Sequence, residues 1–100
     1  MSAYVIVDID VHDEPGLAEY RKLVPATVEK YGGRFAVRGG KFEIREGAWQ
    51  PKRIVLLEFP NVESARRWYD SPEYAPLLAM RLKAAKANLV IVEGTSPPSP

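Results

Sequence analysis

The sequence predicts an α+β fold, a single four-stranded antiparallel sheet with helices on one face. Three observations predict it. Segments rich in β-branched residues alternate with segments of helical periodicity in the order β-α-β-β-(α,α)-β. The chain has 100 residues, enough for one core and no second one. Three of the four strand segments are apolar in both phases of the pleat, which marks a sheet covered on both sides.

Residues 3–11, AYVIVDIDV, read as the first strand. Asp13-Glu14-Pro15-Gly16 then signals a helix start: Asp13 can accept from free N–H groups, Glu14 suits the positive helix end, and Pro15 is tolerated in the first turn. Leu17, Tyr20, Val24, Val28 and Tyr31 recur at spacings of three and four and form one apolar stripe. Pro25 lies within it and predicts a loosened turn, and Gly32-Gly33 predicts a left-handed C-cap. In residues 34–46, Phe35 and Val37 are apolar in one phase and Phe42 and Ile44 in the other. One extra residue must be absorbed between them, and a bulge at Gly39-Gly40 in a single bent strand is expected to do so. A turn over 47–52 leads to a third strand at 53–59.

Asn61 is expected to cap the next helix, on which Ala65, Trp68 and Tyr69 share a face. Asp70-Ser71-Pro72 breaks it, and a second helix starts with Ser71 as cap. Tyr74, Leu77, Leu78, Arg81, Leu82 and Ala85 form its stripe, Asn88 ends it, and 89–93 is the last strand. This order is that of a ferredoxin-like βαββαβ domain with strand order 4-1-3-2. A hairpin at Gly39-Gly40 would add a reversal and put the second and third strands in the wrong relative direction, hence the bulge. Residues 1–94 are expected to form the domain, and the Pro/Ser-rich tail 95–100 to be disordered.

Composition excludes several function classes. Fourteen basic residues stand against 13 acidic ones, a net charge of +1, so no global field attracts nucleic acid or an anionic membrane. The third strand is aliphatic and carries an acid, unlike the aromatic-bearing strand of RNA-binding modules of the same βαββαβ order. There is no cysteine, which removes disulfides and thiolate chemistry. The longest apolar run, Ala3 to Val7, is five residues against about 20 for a membrane span. No basic residue precedes that run, and a cytoplasmic protein is expected.

The first strand has Val5, Val7, Ile9 and Val11 in one phase but Tyr4 and Ile6 in the other. The third sets Val55, Leu57 and Phe59 against Ile54 and Leu56, and the fourth sets Leu89 and Ile91 against Val90 and Val92. Helices cover one face only, so the other predicts a homodimer with sheet facing sheet.

The segments YGGRFAVRGG, PKRIVLLEFP and WYDSPEYAPLL, in that order, resemble the family known as domain of unknown function 1330, of the dimeric α/β-barrel superfamily. The resemblance covers residues 3–94 and implies a ferredoxin-like subunit whose dimer encloses a barrel-like space between two sheets. No activity is established for that family, so no catalytic residue carries over from it. The wider superfamily includes cofactor-free monooxygenases, muconolactone isomerase and haem-binding peroxidase-like proteins, which are neighbours by fold.

The phase holding Tyr4, Ile6, Asp8, Asp10, Ile54, Leu56 and Glu58 is expected to face the inter-sheet space. Carboxylates among apolar groups there would have raised proton affinity, as a general base requires, which makes Asp8 and Glu58 the first catalytic candidates. Against this stands a place near the strand ends, where they pair with Arg38, Lys41 or Arg53 or simply meet solvent. His12, the one histidine, follows the first strand beside Asp13 and is a weaker acid/base candidate, with exposed surface as its plain alternative. No metal-ligand spacing occurs, and His12 belongs to a loop rather than to the pocket-lining helix an axial haem ligand needs, so no cofactor is expected and a haem protein is the third option. Tyr69 and Tyr74, beside Trp68, are candidates for an aromatic wall that binds ligand, with helix-to-sheet packing as the alternative. Tyr4 joins them on the open face, and Arg38 ahead of Gly39-Gly40 is a candidate anion grip. The expected function is binding of a small, partly apolar organic molecule between the sheets, with cofactor-independent proton-transfer or oxygenation chemistry open to it. The alternative is a non-enzymatic ligand-sensing or partner-binding dimer with a filled interface. The residues alone do not decide whether the protein is an enzyme.

Overall fold

The structure is a computed structural model and describes residues 2–95. Its elements are β1 (Ala3–Val11), α1 (Glu14–Lys30), β2 (Arg34–Arg38), β3 (Ile54–Phe59), α2 (Val62–Tyr69), α3 (Ala75–Ala84) and β4 (Ala85–Glu93). The strands form one sheet in the order β2-β3-β1-β4, every neighbour antiparallel. This is the ferredoxin-like arrangement.

The pleat sorts the side chains of β1. Val5 and Val7 lie opposite Leu57 and Val55 and pack beneath the helices, while Tyr4, Ile6 and Asp8 lie opposite Glu58, Leu56 and Ile54 on the open face. The helices reach this core through stripes at helical spacing. Leu17, Tyr20, Val24 and Val28 of α1, Ala65 and Trp68 of α2, and Leu77 of α3 are all buried in it. Covering them removes the apolar area that drives folding, at about 25 cal/mol per Å².

Local signals set the helix ends. The Asp13 carboxylate accepts from the Gly16 N–H at 3.2 Å, and Asn61 accepts from the Ser64 N–H at 2.8 Å. Gly32, at φ +82°, turns the chain so that the Gly33 N–H closes on the Val28 carbonyl at 2.9 Å. Gly33 must be glycine for a second reason: a Cβ there would sit 2.6 Å from the buried Phe59 ring. α1 runs unbroken through Pro25. Proline has no N–H for the Arg21 carbonyl four residues back. The Arg38 guanidinium donates to that oxygen instead, at 2.7 Å.

Three expectations are corrected. The bulge lies at Ala36, between Phe35 opposite Leu57 and Val37 opposite Leu56, and not at Gly39-Gly40. β2 ends at Arg38. Gly39, at φ +72°, donates to the Ile54 carbonyl at 2.9 Å, and residues 40–53 then leave the ladder with Phe42, Ile44 and Trp49 exposed. β4 begins at Ala85 and not at 89, because nine residues of β1 seek partners and the register runs from Val11 opposite Ala85 to Ala3 opposite Glu93. The Ala84 carbonyl, accepting from the N–H groups of His12 and Asp13 at 3.0 Å, marks the end of α3. Leu82, expected on the buried stripe, is 65% exposed, whereas Arg81 and Ala84 are buried. The expected disordered tail falls, apart from Thr95, outside the described residues. No helix among those described is long and apolar enough to cross a membrane.

Candidate functional site

Asp8 and Glu58 both occupy the open face, as their phase predicts, but they stand apart. Glu58 lies opposite Tyr4, four residues from Asp8, which is about 13 Å along the strand. Neither has the raised proton affinity expected of a base. Partial burial pushes the Asp8 carboxyl up, but the backbone N–H of Lys52 at 2.9 Å, the Trp49 indole N–H at 3.0 Å and the Arg53 backbone together outweigh it and hold it below its ordinary value. Its role is to tie the end of the irregular segment to the sheet. Glu58 is held below its ordinary value by the Ser2 hydroxyl, then by Arg34, whose Nη2 is 2.6 Å away, with the Tyr4 hydroxyl adding a longer contact at 3.4 Å. Hydrogen bonds to the charged form make both groups poor proton acceptors. His12 is exposed in the turn before α1, and its mapped interaction is the backbone bond to Ala84. No cluster of three or more metal-ligating side chains occurs among the described residues.

The concave site lies on the other side of the sheet, beneath α1. A pocket of about 290 Å³ opens between helix and strands, close to the lower end of ligand-sized cavities. Val7, Val55 and Leu57 form its sheet side. Leu17, Tyr20 and Val24 face them from α1, and Trp68 and Arg81 complete the lining from α2 and α3. Arg21, Arg38 and Arg53 stand at its more exposed edge. The Ala36 bulge is what brings Arg38 here. It sends Val37 to the open face and returns the next side chain, opposite Val55, to the helix side.

Arg81 is the unusual member. It is 3% exposed, and no carboxylate among the described residues pairs with it. A guanidinium cannot shed its proton in a protein, so this is a fixed buried charge. An ion taken out of water costs on the order of several kcal/mol unless its charge is met. What meets it here is hydroxyl oxygen: Arg81 Nε donates to Tyr74 Oη at 3.3 Å, and Tyr74 Oη shares a 2.9 Å hydrogen bond with Tyr20 Oη. Burial, and then the neighbouring Tyr74, push the Tyr20 hydroxyl well above the ordinary tyrosine range, so it remains a proton carrier. Ser71 positions the network. Its Oγ donates to the Trp68 carbonyl at 2.7 Å and accepts from the Tyr74 N–H at 3.1 Å. Trp68 packs on Tyr74 with ring centroids 4.2 Å apart and donates its indole N–H to Thr27 Oγ1 at 3.0 Å.

Of the candidate ligand-binding residues, Arg38 lines the pocket and Tyr74 braces it through Arg81 and Tyr20. Tyr69 packs against Tyr74, centroids 5.9 Å apart, and Tyr4 is on the opposite face. The sequence reading missed Tyr20, Arg21, Arg53 and Arg81 as site residues. One signal was present: Arg81 is a charge within the apolar stripe of Tyr74, Leu77 and Leu78, where a solvated arginine has no place. The pocket's lining contains four guanidiniums and one phenol, that of Tyr20, but neither carboxylate nor imidazole.

The profile of the family described as Domain of unknown function (DUF1330) matches residues 2–95. No curated protein matches the chain. Among solved structures, a protein of unknown function from Rhodopseudomonas palustris is similar over 96% of this chain and 84% of that one, with 15% identity and a TM-score of 0.72. SnoaB, a cofactor-independent oxygenase from Streptomyces nogalater, aligns over 96% of this chain and 95% of its own at 14% identity, TM-score 0.63. A dimeric protein of unknown function and ferredoxin-like fold from Bacteroides fragilis aligns over 93% and 96% at 14% identity, TM-score 0.55. Likeness at such identities carries the fold.

The lowered carboxyls make a direct prediction. In a pH titration followed by carboxyl-carbon NMR, Asp8 and Glu58 should both titrate below the ordinary carboxylate range. A midpoint above that range for either would restore it as a candidate base.

Proposed function

This chain belongs to the Domain of unknown function (DUF1330) family, and we propose that it acts as a homodimer, each subunit binding a small, partly apolar organic molecule in the pocket beneath α1. Dimerisation is supported by the open sheet face. Val90 and Val92 are 55% and 44% exposed there, alongside Ile6 and Leu56. A two-fold pairing of sheets covers such a patch with one self-complementary contact, and the neighbour from Bacteroides fragilis is itself a dimer.

The single observation that carries the binding reading is Arg81, a buried cation without a carboxylate partner among the described residues, on the inner wall of the pocket among Val7, Leu17, Leu57 and Trp68. A phenol or enol that docks its oxygen on Arg81 gains acidity, because the guanidinium favours the anion. With no base in the lining, the proton leaves to solvent through the open edge. An electron-rich oxyanion can transfer an electron to O2 without help from the protein. Recombination at a ring carbon forms a hydroperoxide, and loss of water leaves a quinone. For a naphthol the balance is one naphthol and one O2 giving one naphthoquinone and one water. The fold shared with the cofactor-independent oxygenase SnoaB supports this choice of chemistry. A second reading, ligand binding without turnover, is favoured by the absence of carboxylate and imidazole from the lining.

Two measurements test the proposal. Sedimentation at micromolar concentration should return twice the chain mass of 11.2 kDa, and a monomer would contradict the pairing. With 1-naphthol in air-saturated buffer, the wild-type protein should consume O2 and form quinone. Arg81→Gln should lower that rate roughly 100-fold, the usual consequence of losing an oxyanion donor. Asp8→Asn and Glu58→Gln should stay within about twofold of wild type, since neither contacts the pocket. Loss of turnover in those variants, or its survival in Arg81→Gln, would overturn the assignment. Naphthol binding without O2 uptake selects the second reading.

A further inference from the structure

We infer that the molecule this pocket takes is an organic acid, its largely apolar body inside with the phenol or enol oxygen toward Arg81 and its carboxylate held at the mouth by Arg21, Arg38 and Arg53. The inference rests on the pocket reading above and adds the chemical class of the ligand.

Three guanidiniums share the pocket's edge, and one carboxylate, Glu14, answers them. Glu14 Oε2 is 2.7 Å from Arg21 Nη2, and its Oε1 is 3.8 Å from Arg53 Nη2. Arg38 has no carboxylate partner among the described residues. It donates to the Arg21 carbonyl that Pro25 leaves open, and its guanidinium carbon lies 4.4 Å over the Phe35 ring. One nitrogen of the fork is therefore anchored and the plane is fixed by stacking, which holds the other donors in place before a ligand arrives. Arg21 adds a second sign. Its Nε is buried and has no hydrogen-bond partner, although a buried donor left unmet is costly. Asp8, opposite Ile54 and so close to Arg53 across the sheet, lies on the opposite face and is occupied by Lys52 and Trp49.

Three guanidiniums that share one carboxylate at the mouth of a largely apolar cavity leave positive charge over for an anionic head group on an apolar body. A carboxylate suits the site because it is planar, matches the guanidinium fork, and leaves most of about 290 Å³ for the body. Such a ligand enters body first, with its head retained where solvent still reaches.

The test uses the full-length wild-type protein and two probes of one shape, 2-naphthoate and 2-naphthol, with binding followed by titration calorimetry at low salt. The naphthoate should bind roughly tenfold or more tightly than the naphthol, and its affinity should fall as sodium chloride is added. Arg38→Gln removes the charge and the guanidinium fork. It should cost the naphthoate roughly tenfold, several times more than it costs the naphthol. Arg21→Gln, at a separate position, should act in the same direction. Equal binding of the two probes, or naphthoate affinity indifferent to both substitutions, overturns the organic-acid inference while the pocket reading stands. Binding of neither probe to wild type overturns the pocket reading, and this inference with it.

Discussion

The pleat of β1 decides which groups in this molecule can meet. Its side chains alternate strictly, so Val5, Val7 and Ile9 go beneath the helices while Tyr4, Ile6 and Asp8 go to the open face. β1 is central, paired with β3 on one side and β4 on the other, and it imposes its phase on both. The acids of the open face are thereby separated from the cations of the helix side by the thickness of a sheet. A single departure from the alternation, the Ala36 bulge, moves one side chain across that division, and the residue it delivers is Arg38. One extra backbone residue thus sets the charge at the pocket's edge.

The second organising feature is a tension between stability and binding. Burying Arg81 without a carboxylate is unfavourable, and a methionine or leucine there would fill the stripe at no electrostatic cost. The chain retains the charge and supports it with Tyr74 and Tyr20, which in turn rest on Trp68, Thr27 and Ser71. These contacts join all three helices around one guanidinium. Strain of this kind collects where a protein does its work, and Arg81 lies on the wall of the cavity.

Much of the fold was legible because its signals are local. The Asp13 and Asn61 caps, the Gly32-Gly33 stop, the stripe from Leu17 to Val28 and the two-faced strands each depend on residues within one or two turns of one another. Strand order followed from them by topology alone. The errors arose where tertiary pairing overrides local pattern. Ala85-Lys86-Ala87 has no strand propensity, yet β1 extends to Val11 and recruits it. Gly39-Gly40 looks like a bulge, but the ladder ends there and the extra residue is absorbed three positions earlier, at an alanine that carries no bulge signal. The pocket was the least legible part. Its lining comes from six elements and the segment between β2 and β3, and in one dimension two residues pointed to it, Arg38 ahead of its glycines and Arg81, out of place in an apolar stripe.

The account turns on which face of the sheet receives the ligand. A crystal structure of the protein soaked with 1-naphthol decides this directly. The account predicts the ring between α1 and the strands, against Val7 and Leu57, with its oxygen on the Arg81 guanidinium. A ring lodged on the open face, beside Tyr4 and Ile6 with the helix-side pocket unfilled, would contradict it and return the site to the space between sheets.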